Sequence, residues 1–157
     1  MELLGKATIN PVVFVTGKVS GYIAWTVMFI FMAGIDLYKR ISFPNNEYFF
    51  YSLLVPGLIF IVFSLANLGR STRLGLPTGK TVLKTGGIYK ISRNPMYLGL
   101  HFITIASMIY TLGIWTLLPG IYSIVVYHLI IRSEEQFLEE RFGEEYKSYM
   151  GRTRRYL

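Results

Sequence analysis

Apolar positions along this chain gather in long blocks instead of alternating with polar ones. Three blocks stand out, at 19–37, 48–68 and 96–131. A bilayer core takes about 20 apolar helical residues to cross, so the first two blocks predict one crossing each. The third holds 36 residues without a charge. As one helix it would run ~54 Å, well beyond a core of ~30 Å, so it predicts a hairpin. The bend falls at 111–115 around Gly113, with Pro119 tolerated in the first turns of the returning helix. The expected architecture is an all-α integral membrane protein in one domain, 1–157, with four transmembrane helices at about 19–38, 48–69, 95–112 and 114–132.

Between and after the blocks the pattern changes. Asn10-Pro11 suits an interfacial or early helical stretch, and Phe43-Pro44-Asn45-Asn46 a turn. Residues 70–92 form a Gly/Thr-rich loop. From 133 to 149, Leu138, Phe142, Tyr146 and Tyr149 step along one face, which predicts a C-terminal amphipathic helix on the cytoplasmic side. Nothing breaks the chain between Ile121 and Phe142, so that helix can continue the fourth crossing.

Charge sets the expected orientation. Fourteen of the sixteen Lys and Arg residues fall before the first crossing, in the loop before the third, or after the fourth; Lys39 and Arg40 are the other two. The positive-inside rule then puts that side, and both termini, in the cytoplasm of a multi-pass protein. The net charge of +7 becomes topology and attraction to anionic membrane lipids, and no nucleic-acid partner is expected. The 157 residues are 52% hydrophobic with a mean hydropathy of +0.42, and no secretory leader pattern is present. Cysteine is absent, which excludes disulfides, thiolate metal sites and a Cys nucleophile; no metal site is expected.

One stretch, "SRNPMY", is more polar than a membrane entry needs. Asn94-Pro95 is a good helix start, Asn as N-cap and Pro at the first position. Arg93 and Tyr97 stand beside the free N–H groups of that turn, where an anion is favoured, and Arg93 suits a carboxylate or phosphate. The hairpin brings Glu134 and Glu135 to the same membrane face. An anion-binding end facing a cation-binding end fits a small zwitterion.

The spaced elements Gly87-x-Tyr89, Arg93-Asn94-Pro95-Met96-Tyr97-Leu98-Gly99, Glu134-Glu135-x-x-Leu138 and Phe142-Gly143-x-x-Tyr146-x-x-Tyr149 resemble the isoprenylcysteine carboxyl methyltransferase and phospholipid methyltransferase superfamily. The resemblance implies a membrane enzyme that uses S-adenosylmethionine, with S-adenosylhomocysteine as product, and admits an apolar acceptor from the lipid. It implies a cofactor-binding half at 70–155, with Tyr89, Arg93, Asn94, Pro95, Tyr97, Gly99, Glu134 and Glu135 around the cofactor and Arg93 and Glu135 as the catalytic pair. Asn94 stands where the carboxyl methyltransferase pattern usually has His.

A prenylcysteine carboxylate is the leading acceptor, because a carboxylate needs no base, whereas an amine or thiol must first lose a proton. A phospholipid amine or a small thiol comes next. Two other classes remain: a sterol-type reductase using a nicotinamide cofactor, disfavoured by Glu134-Glu135, and a small transporter, disfavoured because Asp36 lies at a crossing's end. His101 and His128 read as buried, hydrogen-bonded histidines ahead of bases. Arg70 and Arg73 read as headgroup contacts, and Phe142, Tyr146 and Tyr149 as packing residues over the site.

Overall fold

The computed structural model describes residues 9–41, 43–68 and 82–157. Lys6, Arg70, Arg73, Lys80 and the "GLPTGK" bend lie outside them. The described residues are helical and contain no strand: α1 Pro11–Met32, α2 Asn46–Leu68, α3 Pro95–Thr111, α4 Ile114–Phe142 and α5 Glu144–Arg152, with a 3-10 turn at Gly87–Lys90 before α3.

Among the described residues three helices, α1, α2 and α4, are long and apolar enough to cross a membrane. At 17 residues α3 is about 25 Å long and packs against both α1 and α2. The first helix departs from expectation. It begins at Pro11, where Asn10-Pro11 suited an early helical stretch, and it runs over 11–32 where the crossing was expected at about 19–38. Asn10 caps it, accepting from the Val12 N–H at 2.9 Å. Thr16 and Ser20, polar residues in the first turns of this helix, return their hydroxyls to carbonyls one turn back, at 2.8 Å each.

Close contacts set the helix directions. Gly17 lies under Val126 and Gly21 under Ser123, so α1 and α4 run antiparallel. Gly57 and Gly99 bring α2 and α3 together, again antiparallel, each leaving no room for a Cβ against the other's carbonyl. Trp25 Nε1 donates to Thr104 Oγ1 at 3.0 Å, and Ser107 reaches Met28 Sδ at 3.3 Å, so α1 and α3 are parallel. The starts of α1 and α3, the end of α2 and the charged part of α4 therefore share one end of the bundle.

The α3–α4 hairpin bends where expected, by a different device. Leu112 takes the left-handed conformation (φ 35°), while Gly113 is extended. Gly113 is required because a Cβ there would strike the Tyr38 ring. Outward faces carry exposed Val12, Val15, Phe29, Val62, Phe63, Ile121 and Val125, an apolar coat suited to lipid.

The stretch 133–149 is not one helix. α4 continues the fourth crossing through Phe142, as the unbroken run from Ile121 allowed, and stops at Gly143 (φ 52°). α5 then turns its buried Tyr146 and Tyr149 inward.

Candidate functional site

Two adjacent residues near the end of α4 point in directions about 100° apart, as helix geometry requires. They lie just past its apolar run, which ends at Ile131. Glu135, only 5% exposed, turns toward the start of α3. Arg93 grips it through Nε at 3.1 Å and Nη2 at 3.2 Å. Asn94 Nδ2 donates at 2.8 Å, and Arg155 donates Nε at 2.9 Å with Nη2 at 2.8 Å. Burial pushes the Glu135 carboxyl up, but hydrogen bonds from Arg93 and Arg155, then Arg93's charge and the Asn94 amide, outweigh it. The net effect holds the carboxyl below its ordinary value.

Asn94 occupies the cap position of α3, yet its side chain makes no capping bond. That expectation is corrected: the amide is drawn to Glu135, and Ser92 Oγ accepts from the Asn94 N–H instead, at 3.2 Å. Arg93 is committed as well. Besides Glu135 it donates Nη1 to the carbonyls of Thr153 at 2.7 Å and Met150 at 3.4 Å.

These carbonyls introduce an element that the sequence pattern left unread. Residues 153–156 leave α5 and run across the start of α3 as a strap. The Arg93 N–H donates to Arg154 O at 2.9 Å, and buried Ser92 donates Oγ to Arg155 O at 3.0 Å. Ser92, Thr153, Arg155 and Tyr156 belong to the site. The one local signal was the run Arg154-Arg155-Tyr156 directly after a helix end.

Glu134 turns the other way, toward α1. Tyr97 donates its hydroxyl to Glu134 Oε1 at 2.7 Å. Lys18 sits 4.0 Å over the Phe14 ring and within electrostatic reach of Glu134. Read from sequence as a flanking cation, Lys18 is inside α1 and part of this corner. Tyr89 lies nearby, its carbonyl accepting from the Tyr149 hydroxyl at 2.6 Å. Burial, helped by Tyr149 and Glu134, pushes the Tyr89 phenol up to about 12, and burial raises Tyr149 to about 12 as well. Both are neutral hydrogen-bonding groups at physiological pH.

Of the residues singled out in the sequence, Arg93, Asn94 and Glu135 come together in one cluster. Tyr89, Tyr97 and Glu134 come together in a second, one helical position away. Pro95 is buried at the first turn of α3. Gly99 stands apart from both clusters, in the contact with Gly57 of α2.

Next to the clusters, on the membrane side, α3 and α4 enclose an apolar cavity of about 420 Å³. Leu98, His101, Phe102 and Ile105 line it from α3; Ile124, Val125, His128 and Leu129 line it from α4; Tyr156 of the strap closes one side. Val125 and Leu129 are also exposed on the outer surface, so the cavity adjoins the lipid-facing coat. Tyr156 OH and His128 Nδ1 are 2.8 Å apart. Consecutive strap residues thus touch the carboxylate cluster (Arg155) and the cavity (Tyr156).

A family model described as phospholipid methyltransferase matches residues 46–145, which takes in α2, α3 and all of α4. No curated protein and no solved structure matches the chain.

Proposed function

The chain belongs to the phospholipid methyltransferase family, and from that premise we propose that it transfers a methyl group from S-adenosylmethionine to the headgroup of a lipid-like acceptor. In this reading α3 is a fourth crossing, and the cation-rich end, with both termini, faces the cytoplasm.

One observation carries the reading. A charged, hydrogen-bonded corner and an apolar cavity open to the lipid side are joined across a single peptide unit, Arg155–Tyr156. A polar methyl donor and an apolar acceptor have to meet at such a junction, since in-line transfer rests on positioning and electrostatics.

The donor set fits the cofactor in kind. Glu134, with Tyr97 and Lys18 beside it, offers a carboxylate for an ammonium and an ammonium for a carboxylate. Glu135 is already satisfied by two guanidinium groups and an amide, so its role is to hold Arg93, Asn94 and the strap in place. When bound, the cofactor supplies an electrophilic methyl group; the chain's residues bind it, orient it and exclude water.

For the acceptor, the family description and the cavity favour a phospholipid amine over a prenylcysteine carboxylate. Among the described residues no Lys or Arg side chain lines the cavity, and a carboxylate in an apolar space needs one. The carboxylate reading keeps one supporting observation: the Arg155 side chain, 37% exposed, stands next to Tyr156 at the cavity's edge.

The test is calorimetric titration of detergent-purified protein with S-adenosylhomocysteine. Binding in the micromolar range, weakened about tenfold or more in Glu134→Gln, is expected, which corresponds to ~1.4 kcal/mol. A folded protein that ignores S-adenosylhomocysteine and binds a reduced nicotinamide nucleotide would overturn the proposal in favour of a reductase.

A further inference from the structure

We infer that His128, held by the Tyr156 hydroxyl, is the group that takes the proton from the acceptor's nitrogen. The inference rests on the reading that the α3–α4 cavity admits the acceptor lipid.

A cavity needed only for a hydrocarbon chain would be lined by hydrocarbon. Among the described residues this one is, except for His101, His128 and Tyr156. An imidazole facing lipid is unfavourable unless it is partnered or used. His128 is partnered on one side only among the contacts around the cavity: Nδ1 meets Tyr156 OH at 2.8 Å, with the rings 6.1 Å apart. His101 braces the arrangement, its ring edge-on to Tyr156 at 5.7 Å. When Nδ1–H donates to the phenol oxygen, Nε2 carries the lone pair that a general base needs.

An alkylammonium headgroup is protonated at neutral pH, with a pKa around 10 like that of lysine, and cannot attack until it loses a proton. In the proposed step the ammonium gives one proton to Nε2 of His128. The freed nitrogen lone pair forms the N–CH3 bond as the donor's S–CH3 bond breaks, its electron pair remaining on sulfur. The methylated ammonium, now carrying the positive charge that sulfur gave up, and a neutral thioether leave, and the imidazolium returns its proton to water.

The titratable groups around His128 are His101 on α3, Arg155 and Tyr156 on the strap, and Arg132 and Glu135 one and two turns further along α4. Burial raises the Tyr156 phenol above its ordinary value, so it partners His128 as a neutral hydroxyl. Lys18 of α1 serves the other face of α4, through Glu134.

The experiment uses the full chain with His128→Gln and Tyr156→Phe, each checked for S-adenosylhomocysteine affinity and melting temperature. Methyl transfer into phosphatidylethanolamine vesicles is then followed from pH 6 to 9.5. Both variants are expected to keep cofactor affinity within about twofold. His128→Gln should lose about 100-fold in rate near pH 7 and recover much of it at high pH, where the amine deprotonates unaided. Tyr156→Phe should lose several-fold, with its profile displaced in the same direction. Wild-type rate and pH profile in His128→Gln overturn the inference. So does an equal loss at every pH together with lost cofactor affinity, because that marks a structural role. A wild type that binds S-adenosylhomocysteine but methylates only a carboxylate sinks this inference alone; a wild type that does not bind it sinks the functional reading first.

Discussion

Removing the Glu135 carboxylate gives the sharpest test of how the site is held. Glu135 is 5% exposed and accepts from Arg93, Asn94 and Arg155 at 2.8 to 3.2 Å. Its two cationic partners differ in burial: the Arg93 side chain is 10% exposed, that of Arg155 37%. Glu135→Ala leaves the Arg93 guanidinium buried without its counter-charge, which costs about 3–5 kcal/mol; Arg93→Ala should cost a similar amount. Arg155→Ala removes a partly solvated partner, so it should cost only about 0.5–1 kcal/mol. For a chain of this size, 3–5 kcal/mol lowers the melting temperature by roughly 6–20 °C. The double variant Arg93→Ala/Glu135→Ala should fall short of the sum by about 1–3 kcal/mol.

The same carboxylate predicts a pH dependence. Its folded pKa is depressed, so its stabilisation is fully present above the ordinary value of 4.5 and is lost as pH falls through the lower folded value. The melting-temperature gap between wild type and Glu135→Gln should stay constant from pH 5 to 8 and close in more acid solution. Tryptophan fluorescence in detergent micelles reads both results. A Glu135→Ala shift below about 2 °C, or strict additivity with Arg93→Ala, would falsify the buried-network account.

Two further predictions concern packing and the strap. A Cβ on Gly17 would lie 2.5 Å from Val126 Cβ, so Gly17→Ala should destabilise by about 1–3 kcal/mol; adding Val126→Gly, which removes that Cβ, should make the double variant less destabilised than the two single losses added in the same melting assay, and strict additivity would refute the close α1–α4 contact. Ending the chain after Arg152 removes the Thr153 and Arg154 carbonyls that accept from Arg93 and the Arg155 carbonyl that accepts from Ser92. It should weaken S-adenosylhomocysteine binding more than tenfold while circular dichroism keeps the helix content of α1 to α4, and undiminished binding would count against the strap as part of the site.

Much of the bundle was legible in the chain because apolar length and helical crossing are locally coded. The apolar block expected from residue 19 leaves out the first turns of α1, because Thr16, Lys18 and Ser20 interrupt the apolar run; Thr16 and Ser20 satisfy themselves on their own helix, and Lys18 lies within electrostatic reach of Glu134. Gly143 was visible as a glycine, but its positive φ and the turn of α5 were hidden by a side-chain stripe that continues across it. At the site, the meeting of Arg93, Asn94 and Glu135 followed from topology, whereas the partnership among them did not. A sequence shows a basic residue and an acidic one as two ligand-binding ends; only the fold shows that they neutralise each other. The strap was illegible for the same reason, since its bonds join residues 20 to 63 positions apart.

The strap also orders events during synthesis. Residues 153–156 follow every helix of the bundle, so Arg155 and Tyr156 are the last parts of the site to be made. Until then Glu135 lacks one of its two guanidinium partners, and His128 lacks the Tyr156 phenol. The polar corner therefore cannot close before the strap is complete. An affinity tag fused directly after Leu157 would begin two residues from Tyr156 and so sit against that corner.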